Sequence, residues 1–518
     1  MTSCLPLNYP METLLVSTKK ISYRDFVPLF NGPVKVSLTK QAEKNIEKSH
    51  RNLRALLNGD TTMYGVNTGF GNLSNIPINK ADQKLLQKNL VRSHAAGVGD
   101  PIEIGTVRAI MYLKLLTYAK GYSGIRLILV KKIIQFINHD IIPYIPMKGS
   151  VGASGDLAPL GHMALSLIGE GKVFLKGKKM STGVALKKLK IKPLELEPKE
   201  GISLINGTQV STAFSIKACI DGEILLKTAD IAGALSVENS FSSRKVFRKD
   251  IHKLKDHIGQ QISAANVYKM LRGSEIVNSH SNCDKVQDPY SFRCIPHVHG
   301  ASRDSFKLST TMVNNEINSL SDNPLVMDES TILSSGHFHA EHIAQALDII
   351  SIAFSEIGAI SERRIHFFMK GIDPLIPPFV ATNPGIESGY MIAHVTASAL
   401  ASENKTLAHP ASIDSLPTSG GQEDHVSMAP WAGNKLFKIQ HNVGSILAIE
   451  LIVAGAANSL ASSDMKAGKG TAPTLKILND HCKFAKGDRP LSLEIEQITK
   501  LILSGNILTE VSKSLKLE

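Results

Sequence analysis

Cysteine is scarce in this 518-residue chain: five residues, odd in number, scattered and never spaced as C-x-x-C. That pattern excludes a disulfide framework and a zinc ribbon, and it fits a reducing cytoplasm. Aromatic residues make up only 5% of the chain, with a single tryptophan, so a surface that stacks successive bases has little to draw on. No charged stretch followed by an apolar run opens the sequence, and no secretory signal is expected. The longest nearly uncharged run, Val443 to Ser463, is interrupted by Glu450 and rich in Ala, Gly and Ser. Such a composition suits a helix buried among helices, not one facing lipid, so no membrane association is expected.

What is present is a hydrophobic content of 43% over a long chain, enough for a large core. The formal charge of +12 is concentrated between Lys172 and Lys192, a stretch with eight lysines, no arginine and Phe174 as its one aromatic residue. It reads as a solvated hairpin turning at Gly177, and no nucleic-acid partner is expected. Apolar residues recur at helical spacing in Asn315–Leu320, His342–Arg364, Gly389–Leu407 and Trp431–Ser463. The fold class is therefore mainly α, a long helical bundle following a loop-rich N-terminal region. We expect two domains, residues 1–205 and 206–518. Helices such as "AIELIVAGAANSLASS" permit close backbone approach, and their apolar faces suit a core shared between subunits.

The most unusual segment is "GSVGASGDLAPLG", Gly149 to Gly161. Glycine-rich loops commonly cradle phosphate, but the P-loop Lys-Ser/Thr is missing. A dinucleotide loop would follow a central strand, and the preceding "IIPYIPMKG" carries two prolines. A nucleophile elbow reads G-x-S-x-G, whereas Gly155 directly follows Ser154. Tiny side chains around Ala153-Ser154-Gly155 let the backbone fold back, so that the Gly155 nitrogen can approach the Ala153 carbonyl. Ring closure with loss of two waters, one of them from the Ser154 side chain, would leave an exocyclic methylidene. That is an electrophile no ordinary side chain supplies.

"GSVGASGDLAPLGHMAL" resembles the signature of the histidine and phenylalanine ammonia-lyase family, and the similarity runs from about Val36 to Ser463. The resemblance implies an aspartase/fumarase-like helical architecture and a 4-methylidene-imidazole-5-one made from Ala153, Ser154 and Gly155, with no external cofactor. It implies a homotetramer whose sites each draw on three chains. "YGVNTGFG" places Tyr64 on the family's catalytic tyrosine, and "LINGTQ" places Asn206 beside the prosthetic group. "QDPYSFRC" places Gln287, Tyr290 and Arg293 at the site, "HFHAE" places Phe338 facing substrate, and "SGGQEDHVSM" contributes Glu423.

Ammonia elimination is difficult because the β-proton is barely acidic while the ammonium is the stronger acid. An electrophile improves the leaving group, and a positioned base, here Tyr64, takes the β-proton. Arg293 offers a planar fork for the substrate carboxylate, and Asn206 and Tyr290 would donate to the imidazolone oxygen. In this family the pair at Ser93-His94 faces the far end of the substrate side chain. Ser-His there accompanies an imidazole substrate, and Glu423 could receive an imidazole N–H. The resemblance thus implies conversion of L-histidine to trans-urocanate and ammonia in the cytoplasm. Its alternative is a tyrosine or phenylalanine ammonia-lyase or aminomutase with the same electrophile. Three positions depart from the family pattern: His337, His297 and Gly421. "HFHAEH" also offers His337, His339, Glu341 and His342 to a metal-dependent hydrolase, but no H-E-x-x-H spacing appears and no metal is expected. A non-catalytic helical scaffold is the remaining alternative.

Overall fold

A computed structural model describes residues 12–59, 61–280, 286–372, 374–484 and 487–518. Among these residues helices dominate, and the strands are short pieces of two to four residues in four small sheets. Contacts divide the chain into two units. The first comprises Met1–Lys217, Thr310–Leu347 and Pro410–Asn434, the second Ala218–Ser309, Asp348–His409 and Lys435–Glu518. The chain passes between them five times, and four of the junctions fall inside the helices Gln209–Asn239, Ile295–Ile317, Glu341–Met369 and Ala429–Ala461.

In the first unit the central helix is Ile104–Ala119, buried at every residue from Thr106 to Ala119. A helix apolar on nearly all sides belongs in a core, and it carries two buried charges, Arg108, paired with Asp140, and Lys114. The two prolines of "IIPYIPMKG" sit where strands tolerate them. Pro143 ends Ile141–Pro143 and Pro146 begins Pro146–Lys148, in separate small sheets. The lysine-rich stretch forms the expected hairpin, Lys172–Leu175 paired with Lys178–Ser181. Its two turn residues, Lys176 and Gly177, have φ of 48° and 78°, the sign that a tight primed turn requires. All eight lysines are exposed.

Periodicity located Glu341–Met369, Met391–Leu407 and Ala429–Ala461 to within a few residues, but it set no bounds for Gln209–Asn239 and caught only the end of Ile295–Ile317, at Asn315–Leu320. There the helix stops at Ile317. Asn318 Nδ2 donates to the Asn314 carbonyl at 2.7 Å and Ser319 Oγ to the Asn315 carbonyl at 2.8 Å, so side chains take over the last turn's acceptors.

In the second unit the residue that interrupts the apolar run, Glu450, is fully buried. Its carboxylate is bound by Arg364 at 2.5 and 2.9 Å, Ser361 Oγ at 2.5 Å and Ser236 Oγ at 2.7 Å. Glu341–Met369 and Ala429–Ala461 are long and apolar enough to cross a membrane, yet 72% and 78% of their most apolar windows are buried within the chain. Cys219, Cys294 and Cys482 are free thiols; Cys4 and Cys283 lie outside the described residues.

Candidate active site

Ala153-Ser154-Gly155 occupies the loop between the Pro146–Lys148 strand and the Leu157–Leu167 helix. Gly155 has φ of 79°, and a Cβ there would collide with the Gly207 carbonyl, so only glycine fits. Gly155 pairs with Gly207 as an isolated parallel bridge, and the Asp156 N–H donates to Gly207 O at 2.8 Å. Asp156 in turn caps the Gln209–Asn239 helix. Its Oδ2 accepts the N–H groups of Val210 and Ser211 at 2.9 and 2.8 Å, and its Oδ1 accepts Ser211 Oγ at 2.7 Å. Burial pushes the Asp156 carboxyl up to about 6, against the downward pull of the hydrogen bonds from Ser211, Val210 and Ser150.

Ser154 Oγ donates to Glu423 Oε1, and Glu423 Oε2 accepts Thr418 Oγ1 at 2.7 Å and Ser419 Oγ at 2.8 Å. Burial raises the Glu423 carboxyl, but those three hydroxyls and the nearby His94 outweigh it, and the net shift is downward. Glu423 is thus a carboxylate. His94, the last residue of the Gln83–His94 helix, has Nδ1 2.8 Å from Leu90 O and 3.1 Å from Ser93 Oγ. Burial lowers its ring below the usual histidine range, while Leu90 and Glu423 oppose that fall. Since a carbonyl can only accept, the proton of a neutral ring lies on Nδ1 and leaves Nε2 as an acceptor.

Tyr64 lies in a turn, its hydroxyl accepting the Gly71 N–H at 3.1 Å and its ring edge-on to Phe70. Asn72 Nδ2 donates to Gly420 O at 2.8 Å, which ties the Tyr64 loop to the Glu423 loop. Asn206 ends the Glu200–Ile205 helix and is 3% exposed; its Oδ1 has no partner, and its Nδ2 lies 3.5 Å from Asn323 O. Phe338 is half-buried in the turn before the helix that begins at Glu341.

The histidines around Phe338 have local partners. His337 Nδ1 lies 2.9 Å from Ser335 Oγ, and His339 Nε2 lies 3.3 Å from His425 O. No three His, Cys, Asp or Glu gather to hold a metal ion among the described residues.

Ser154, Glu423, His94, Ser93, Tyr64, Asn206 and Phe338 all belong to the first unit; Gln287, Tyr290 and Arg293 belong to the second. There Gln287 is exposed, and Tyr290 and Arg293 are the first and last residues of a one-turn helix. Tyr290 is 72% exposed, with the Arg293 guanidinium 4.8 Å from its ring centre. Two residues with clear structural work at the Ser154 loop carried no role in the sequence reading: Asp156 and Lys114. For Lys114 the available signal was the one charge in the apolar run Ala109–Ala119.

The sequence profile of the family described as aromatic amino acid lyase matches residues 21–480. The chain belongs to the aromatic amino acid lyase family. A histidine ammonia-lyase from Yersinia enterocolitica is 44% identical over 486 residues, covering 93% of this chain and 96% of the relative. Among solved structures of the lyase fold, the histidine ammonia-lyase of Trypanosoma cruzi has a TM-score of 0.89 at 34% identity and covers 98% of this chain and 96% of its own. The tyrosine aminomutase of Streptomyces globisporus has a TM-score of 0.92 at 30% identity and covers 98% and 100%. As a member of the aromatic amino acid lyases, this chain is a carbon–nitrogen lyase of mainly helical fold.

Proposed function

We propose that this lyase eliminates ammonia from L-histidine to give trans-urocanate. The observation that carries the assignment is the pairing of Glu423 with His94. The carboxylate bound to Ser154 and a ring whose Nε2 is left as an acceptor lie in one unit, close enough for each to act on the other's charge. Both are acceptors that the two N–H groups of an imidazolium satisfy and a phenyl ring leaves idle, at a cost where they are buried. The 44% identity to a histidine ammonia-lyase supports the same substrate.

A 4-methylidene-imidazole-5-one made from Ala153, Ser154 and Gly155 is part of this proposal, and the residues present fit it. Gly155 is held in the left-handed region with no room for a side chain, and Ala153 is buried. Once formed, that group supplies an electrophilic carbon able to make the amine depart more readily. Tyr64 takes the β-proton, the electrons of the broken C–H bond form the new double bond, and the C–N bond breaks to release ammonia. Glu423 and His94 hold the imidazole, with Ser93 orienting the His94 ring, and Phe338 packs on the substrate. Arg293 takes the substrate carboxylate, Asn206 and Tyr290 donate to the imidazolone oxygen and Gln287 contacts the substrate, the roles that family membership implies, in a homotetramer whose sites draw on three chains. Residues 1–205 carry the electrophile-forming loop and 206–518 the bundle, and the enzyme works in the cytoplasm.

Purified protein given histidine, phenylalanine and tyrosine side by side tests the assignment, because each unsaturated product has its own ultraviolet absorbance. Histidine should react fastest. Faster loss of tyrosine or phenylalanine would overturn the substrate while leaving the electrophile chemistry in place.

A further inference from the structure

Lys114 is a buried charge that the proposed chemistry does not use. The whole side chain is shielded from solvent in the Ile104–Ala119 helix. Its Nζ donates to Asn206 O at 2.5 Å and to Gln209 Oε1 at 3.2 Å. Gln209 is itself fixed, its Nε2 donating to Thr117 Oγ1 and to Ser321 O, both at 3.1 Å. Asn206 closes the Glu200–Ile205 helix and Gln209 opens the next, so Lys114 spans the two-residue connection of Gly207 and Thr208. Gly207 has φ of 117°, and its backbone is the surface against which Gly155 lies. Burial pushes the Lys114 amine down to about 7, with Lys199 adding to the fall and Asp322 and Asp156 opposing it. An apolar residue at this position would avoid that desolvation cost but would take away the donor that holds the Asn206 carbonyl.

We infer that Lys114 is a positioning residue for formation of the electrophile: by holding the Asn206 carbonyl it fixes the Gly207 backbone, which presses Gly155 toward Ala153. The inference rests on the electrophile-forming role proposed for Ala153-Ser154-Gly155. Ring closure joins Gly155 N to the Ala153 carbonyl carbon. The first water leaves with the Ala153 oxygen and the amide hydrogens of Gly155 and Ser154. The second leaves with the Ser154 hydroxyl and its α-hydrogen. No oxidant or reductant is needed, so geometry decides whether the step proceeds.

Two readouts test this. In a Ser154→Ala background, which cannot lose the second water, Lys114→Met should speed amide hydrogen exchange at Asp156, the donor to Gly207 O, by tenfold or more. With Ser154 present, intact mass should show the two-water deficit in wild type. Fewer than half of Lys114→Met chains should carry it at the same time after synthesis, and Lys114→Arg should restore it. Wild-type exchange together with a full deficit in Lys114→Met would overturn the inference. A wild-type chain with no deficit would instead overturn the electrophile reading, leaving the exchange measurement to decide whether Lys114 holds Gly207. If circular dichroism finds Lys114→Met unfolded, Gln209→Met decides. Loss of that second anchor should raise Asp156 exchange about threefold, and unchanged exchange would sink the inference.

Discussion

Replacing His94 by Leu should lower kcat/KM for histidine by about 10²-fold and largely spare phenylalanine. The magnitude follows from the hydrogen bonding. His94 Nδ1 is committed to Leu90 O and Ser93 Oγ, so the ring has one nitrogen, Nε2, left for substrate. A leucine offers none, and a buried N–H without a partner costs about 1–3 kcal/mol. At about 1.4 kcal/mol per decade this is a loss of roughly 5- to 150-fold. Glu423→Gln should lose a similar factor. A hydrogen bond to a charged acceptor contributes about 1.5–3 kcal/mol against about 0.5–1.5 for a neutral one, and the amide must also re-sort its contacts with Thr418 and Ser419. Because His94 and Glu423 interact, the double variant should lose less than the product of the single losses. Initial rates on both amino acids, followed by product absorbance, give the needed ratios. The reasoning fails if both single variants stay within threefold of wild type on histidine, or if phenylalanine turnover falls as far as histidine turnover.

Ser154→Ala should fold, keep its encoded mass apart from the substitution, and lose nearly all turnover, whereas active wild type should be lighter by two waters; unmodified Ser154 in active enzyme would refute the electrophile. Tyr64→Phe should still bind histidine and keep the two-water deficit while losing at least about 10²–10⁴ in rate, and near wild-type turnover would move the base elsewhere, with Glu423 the first suspect. Glu450→Ala strands the Arg364 guanidinium in the core, so chemical denaturation should register a loss of about 3–5 kcal/mol, and an unchanged midpoint would contradict the buried pair. Lys114 sits at about 7 in the folded chain against an ordinary 10.5. The unfolded chain therefore holds the extra proton between those values, and folded stability should rise with pH across that window. From pH 6 to 9 wild type should gain roughly 1–3 kcal/mol relative to Lys114→Met; a constant difference would count against it.

The helices were legible because apolar periodicity reports which face is buried, and the Gly149–Gly161 segment was legible because its chemistry is local to three small residues. What lies between distant parts of the chain was not. Ser154 and Glu423 are 269 residues apart, and no property of either announces their hydrogen bond. The first N–H groups of the Gln209–Asn239 helix are taken by Asp156, 54 residues before Val210, which also anchors the end of the small-residue loop. The early stop at Ile317 depends on asparagine and serine side chains competing for carbonyls, a contest that periodicity does not register.

The four helices that run through the unit junctions bear on how such an enzyme can acquire new substrates. Proteins assembled from modules joined by loose linkers can trade a whole substrate-recognition part in one recombination event. Here neither unit corresponds to one continuous stretch of gene, and a crossover at four of the five junctions would splice two ancestries within a single helix. New specificity must therefore come by substitution, one side chain at a time, in the loops that carry Tyr64, His337 and Glu423.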